Sequence, residues 1–113
     1  MIVLEGQPAL SPFRRDRLET RLQAIHPALR VVGAWFVYWI EPEAGRTPDP
    51  TALQRILEAH DRRAPLAVDA VSRFVAPRLG TISPWASKAG ELLRGAGQPV
   101  RRVERGTRID LSG

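Results

Sequence analysis

Val31-Val32-Gly33-Ala34-Trp35-Phe36-Val37-Tyr38-Trp39-Ile40 is the longest unbroken apolar stretch of the chain, and its reading decides the fold. β-Branched and aromatic side chains fall on odd and even positions alike, so both faces of an extended segment would be apolar. That is the pattern of a central strand covered on both sides. Ten residues are too few to cross a bilayer as a helix.

Working outward, Ser11-Pro12 opens a helix before this strand. The serine hydroxyl can accept from a free amide, and proline at the first helical position lacks an N–H that the helix leaves unused. Phe13, Leu18, Leu22, Ile25 and Leu29 follow at mostly helical spacing, and Pro27 ends the regular part. Met1 to Glu5 reads as a short strand ahead of it. After the central strand, Glu41 to Pro50 holds three prolines and a glycine and is a loop. Asp49-Pro50 opens a second helix with Leu53, Ile56, Leu57 and His60 on one face. Asp61 to Pro65 is a charged connection, and Val68 to Ala76 a strand interrupted by Asp69 and Ser72. Ser83-Pro84 opens a third helix reaching Gly95 or Gly97, with Leu92 and Leu93 turned inward. Val100 to Leu111 is a last strand or hairpin rich in arginine.

The chain also echoes itself. A gapless shift of 72 residues lays Val3 on Val75, Ser11-Pro12 on Ser83-Pro84, Phe13 on Trp85, Pro27 on Pro99 and Val31 on Val103, with eight identities in 41 aligned pairs. The shared order is strand, Ser-Pro-aromatic, helix, proline turn, strand. Two such halves, roughly residues 1–41 and 73–113, joined by a loop-helix segment 42–72, would share one sheet in one domain of residues 1–113. The expected class is α+β: a ferredoxin-like sandwich with one mainly antiparallel sheet, about three helices and a pseudo-two-fold repeat.

Composition narrows the chemistry. The 113 residues include no cysteine, which excludes a disulfide framework, thiol catalysis and a Cys-ligated zinc. Met1 to Gly6 shows no basic segment leading into an apolar one, so no secretory leader is expected and the cytoplasm is the expected location. The net charge of +5 comes from sixteen arginines and Lys88, scattered and interleaved with acids, as on a solvated mixed surface. His26 and His60 lie far apart at helix ends, where a cap or surface role outweighs a catalytic or metal role. No phosphate-binding Gly-x-x-x-x-Gly-Lys-Ser/Thr loop exists, and the acids form no tight magnesium cluster. No catalytic residue, metal site or cofactor is expected in this chain.

One segment does not read as packing alone: Ala76-Pro77-Arg78-Leu79-Gly80-Thr81-Ile82-Ser83-Pro84-Trp85-Ala86-Ser87-Lys88-Ala89. A strand ends, Arg and Gly make a turn, and hydroxyls precede a helix start, with Ser87 and Lys88 in its first turns. Free amides, hydroxyls and a lysine there suit an anion; equally, Ser83 is a plain cap and Trp85 a core residue.

Pro77 to Ala89 closely resembles the signature near the start of the large-type phosphoribosylformylglycinamidine synthase family (FGAM synthase, FGAR amidotransferase, PurL), Pro-Arg-x-Gly-Thr-Ile-Ser-Pro-Trp-Ser-Ser-Lys-Ala-Thr. The opening Gly6-x-Pro8-Ala9-Leu10-Ser11-x-Phe13-Arg14 is similar to the family's N-terminus, and Val103-Glu104-Arg105-Gly106 to its later Val/Ile-Glu-Arg-Gly. Departures are Ala86 for serine, Gly90 for threonine, and an ending that lacks the family's tyrosine-rich continuation. The resemblance implies an N-terminal lobe built like two fused PurS subunits, in agreement with the internal echo. It implies a place between an ATP-grasping synthetase and a glutaminase, in an enzyme that turns FGAR, ATP and glutamine into FGAM, ADP, phosphate and glutamate. ATP and magnesium would belong to the whole enzyme.

On that resemblance, Arg78, Gly80, Thr81, Ser83, Ser87 and Lys88 are expected in a loop closing over the synthetase site and its phosphate-bearing substrate. Trp85 is assigned to packing first and to domain docking second. Glu104, Arg105 and Gly106 are open to docking a neighbour or to forming a hairpin with a surface ion pair. Neither nucleic acid nor membrane is an expected partner. The rival readings are a basic ferredoxin-like RNA-binding module, suggested by Gly33 to Trp39, and a ligand-free scaffold or oligomerisation module.

Overall fold

A computed structural model describes residues 1–77 and 83–113. The elements run β1 (Ile2–Pro8), α1 (Pro12–Gln23), β2 (Arg30–Pro42), α2 (Pro50–Leu57), β3 (Ala70–Val75), α3 (Pro84–Gly95) and β4 (Val100–Ser112). The strands form one four-stranded sheet in the order β1-β2-β4-β3, antiparallel throughout, and with three helices the fold is α+β. The apolar decamer is the heart of β2, a strand flanked on both sides. Val100 onward is a single strand, not a hairpin.

The register carries the internal repeat. Trp35 pairs with Arg108 and Phe36 with Thr107. A shift of 72 residues sends 35 to 107 and 36 to 108, so each pair maps onto the other, as across a two-fold axis between them. The outer strands break this symmetry. Ile2 pairs with Ile40, whereas Ser112, the shifted partner, pairs with Ala70 rather than with Phe74, the shifted Ile2. The slip is four residues, an even number, so each side chain keeps its face.

Each helix opens on a cap and a proline. Ser11 Oγ accepts from Arg14 N–H at 3.2 Å, Asp49 Oδ1 from Thr51 N–H at 3.1 Å, and Ser83 Oγ from Ala86 N–H at 3.0 Å. α2 and α3 bury Leu53, Leu57, Ala89 and Leu93 against Leu4, Tyr38, Ile40 and Val103 on one face of the sheet. Leu92 departs from expectation: it is 61% exposed, one step round the helix from fully buried Leu93.

α1 is the other departure. It has no buried residue, and Phe13 and Ile25 are 74% and 83% exposed. Polar links attach it to the start of β2: Arg15 Nε donates to the Val31 carbonyl at 3.1 Å, and the Val31 N–H donates to Glu19 Oε1 at 3.0 Å. β3 is shorter than the expected Val68 to Ala76, because Asp69 takes a left-handed turn at φ 63° immediately before it.

The chain between α2 and β3 positions the second face of the sheet. His60 and Glu5 exchange both backbone hydrogen bonds at 2.9 Å, pinning this segment to the outer edge of β1. The segment then passes over the face opposite α2 and α3, where Asp61, Arg63, Ala64 and Leu66 roof a cavity of about 490 Å³. The floor of that cavity includes Val3, Val37, Trp39, Ser72, Phe74 and Arg108.

Candidate functional site at the start of α3

The two signature segments meet. Ser83, half-buried at the cap of α3, accepts from Ala86 N–H and donates its own proton to Glu104 Oε1 at 3.2 Å. The same Glu104 oxygen accepts from Arg105 N–H at 3.2 Å, while Oε2 is buried and has no partner among the described residues. A carboxylate of β4 thus lies beside the first turn of α3, where the helix dipole favours negative charge.

On the helix-covered face, the Arg105 guanidinium carbon lies over two rings, 4.5 Å from the Phe36 centroid and 4.8 Å from that of Trp85. Trp85 also packs on Tyr38, with centroids 5.6 Å apart. Trp85 is therefore both a packing residue against the core and a wall for the arginine. Glu104 and Arg105 point to opposite faces and form no ion pair with each other, which removes the hairpin reading of this dipeptide. Burial pushes the Tyr38 phenol above the ordinary tyrosine range; the Arg105 charge opposes that and Glu58 adds to it.

Gly106 has a structural reason. A Cβ there would lie 2.6 Å from a Trp39 ring carbon and 2.6 Å from the Val75 carbonyl oxygen. Only a glycine lets the indole and the edge strand β3 close over β4 at this point. Ser87 and Lys88 are exposed on α3 and line different recesses, Ser87 toward Arg101 and Arg102 of β4, Lys88 toward α2 beside Tyr38 and Trp85. Arg78, Gly80 and Thr81, expected in the same site, lie outside the described residues.

Spacing in the sequence did not reveal a second polar centre, which lies on the opposite face. Arg108 donates through Nη1 to Glu5 Oε2 at 2.8 Å, through Nη2 to Asp110 Oδ2 at 2.7 Å and through Nε to Asp110 Oδ1 at 2.9 Å. Ser72 Oγ donates to Asp110 Oδ1 at 2.6 Å, and the Ala64 N–H to Glu5 Oε1 at 2.7 Å. The three charged side chains are 5%, 4% and 1% exposed. Burial alone would push the arginine pKa down; the hydrogen bonds to Asp110 and Glu5, with their charges, outweigh it and hold it above the ordinary arginine value. The only foreshadowing in the sequence is alternating charge along a strand, Arg108 and Asp110 on one face, which is unusual for a central strand unless the charges meet partners inside.

Among the described residues no three His, Asp or Glu side chains converge as metal ligands. No helix among them is long and apolar enough to cross a membrane. His26 and His60 are both exposed, and His60 contributes its backbone to the bridge with Glu5.

These features define the chain as an α+β sandwich with an antiparallel sheet, whose signature residues gather where its last helix begins against its last strand. The family described as formylglycinamide ribonucleotide amidotransferase N-terminal matches residues 35–113, from the middle of β2 to the end of β4. The chain belongs to that family, the N-terminal domain family of an enzyme of purine biosynthesis.

Proposed function

We propose that this chain acts as the non-catalytic N-terminal lobe of the cytoplasmic, ATP- and glutamine-dependent ligase that converts FGAR to FGAM. It docks the synthetase and glutaminase domains and contributes the loop that ends at Ser83 to the approach of the synthetase site. The observation that carries this reading is the convergence of Ser83, Trp85, Glu104 and Arg105 from two separate signature segments onto one junction. A junction fixed by a capped helix and a two-ring stack holds the loop's far end rigidly, which a closing element requires. The two-fold register of β2 and β4 supports an origin by doubling of a PurS-like unit, with halves of roughly 1–41 and 73–113.

Arg78 of the loop and Lys88 on the α3 that follows it suit a phosphate-bearing substrate, and the loop's apolar residues would exclude water from the chemistry next door. The test uses the full enzyme carrying Thr81→Ala or Lys88→Ala. The expected outcome is a fall in kcat/KM for FGAR with glutamine hydrolysis by the glutaminase part retained. Unchanged FGAM formation and FGAR affinity in both variants, with normal folding, would remove the loop from the reaction.

A further inference from the structure

Arg105 is a cation whose setting folding leaves unexplained. Its side chain forms no ion pair among the described residues, and residues 78–82, Arg-Leu-Gly-Thr-Ile, carry no acid. It is nonetheless half-buried, with its guanidinium carbon over the rings of both Phe36 and Trp85. An aromatic ring attracts the charge but offers no oxygen acceptor, so these contacts leave the guanidinium N–H donors without an oxygen partner. Holding an arginine against two rings ahead of binding reduces the rotamer entropy that a flexible cation would lose on meeting an anion.

The neighbourhood adds a hydroxyl. Thr107 lies two residues along the same face of β4 and pairs across the sheet with Phe36, the ring over which the guanidinium sits. Thr107 is half-buried and its hydroxyl has no hydrogen-bond partner among the described residues. We infer that the edge of Arg105, with the Thr107 hydroxyl, is an oxyanion site that takes a phosphate monoester. A planar fork matches two oxygens of a tetrahedral phosphate, and the hydroxyl suits a third. The inference deepens the functional reading above in one respect, since a phosphate ester is the group its substrate carries, but the site itself is argued from Arg105 and Thr107 alone.

The test needs no other domain. The 113-residue chain, labelled for the arginine Nε–Hε resonances, is titrated with ribose 5-phosphate, with ribose and sodium acetate at matched ionic strength as controls. The expected result is a saturable shift of the Arg105 resonance with ribose 5-phosphate only. Affinity should fall at least about tenfold, ~1.4 kcal/mol, in Arg105→Gln. Thr107→Val should weaken it by a smaller factor, and Arg105→Lys should restore only part, because the charge returns without the fork. A single cooperative thermal transition in each variant, completed well above the titration temperature, shows that the variants fold. A response that never saturates, an equal response to acetate, or an Arg105→Gln variant that binds as the parent does would each overturn the inference. A full enzyme indifferent to Thr81 and Lys88 would refute the loop reading while leaving this site standing.

Discussion

Arg105 and Arg108 stand three residues apart on β4 and face opposite sides of the sheet. Both guanidiniums lie over aromatic rings, Arg108 at 4.9 Å from the Trp35 centroid. There the likeness ends. Arg108 spends its donors on two buried carboxylates that tie β1, β4 and, through Ser72, β3 together, whereas among the described residues Arg105 has aromatic rings and no carboxylate as partners. The same residue type on one strand is a carboxylate-bound clamp on one face and a ring-stabilised cation on the other. The difference is set by which neighbours the sheet register brings, carboxylates or aromatics.

The comparison breaks most visibly at Arg108. Arg108→Met strands Glu5 and Asp110 as buried charges, and chemical denaturation should show a loss of about 3–5 kcal/mol. Adding Glu5→Gln to that variant should cost less than the sum of the two single losses, because they share one interaction. Gly106→Ala, between the two arginines, comes next. Its methyl would press on Trp39 and on the β3 backbone, and a loss of about 1–3 kcal/mol is expected by thermal unfolding.

Arg105→Gln should be milder for stability, about 0.5–2 kcal/mol, the range of a stacked cation. Its signature is spectroscopic. Tyr38 is the single tyrosine, so ultraviolet titration of tyrosinate reports it alone. Removing the Arg105 charge, which holds the phenol down, should raise its pKa further. In the parent chain the folded phenol titrates above the unfolded one. Its contribution to stability is therefore intact below the ordinary tyrosine value near 10 and is lost as pH rises through the higher folded value. Unfolding midpoints measured across that alkaline range test the sign.

The smallest expected effect is at Gly90, inside α3. A Cβ there meets only the Arg94 guanidinium, at 3.1 Å, the far end of a flexible side chain. Gly90→Ala should therefore gain roughly 0.5–1 kcal/mol from helix propensity, read by thermal unfolding, with no change in anion binding at Arg105.

Local signals were legible in the sequence. Ser11-Pro12, Asp49-Pro50 and Ser83-Pro84 each open the helix they announce, because an oxygen acceptor and a missing N–H act within a few residues. The apolar decamer is central because a strand apolar on both faces has no stable place at a solvated edge. Helical spacing failed for Phe13 because no apolar surface among the described residues covers it, and for Ile25 because α1 stops at Gln23; periodicity proposes a face without supplying its partner. The Glu5–Arg108–Asp110 cluster was invisible for a related reason. Its members are 103 and two residues apart, and read singly each is an ordinary surface charge.

By itself the sequence determined the helix starts, the central strand and the two signature segments, all properties of neighbouring residues along the chain. Only the tertiary structure decided that those segments meet at Ser83 and Glu104, that one β4 arginine is clamped and the other is not, and that Gly106 makes room for Trp39. Such outcomes depend on pairing register between distant strands, and a shift of one residue would turn every side chain to the other face.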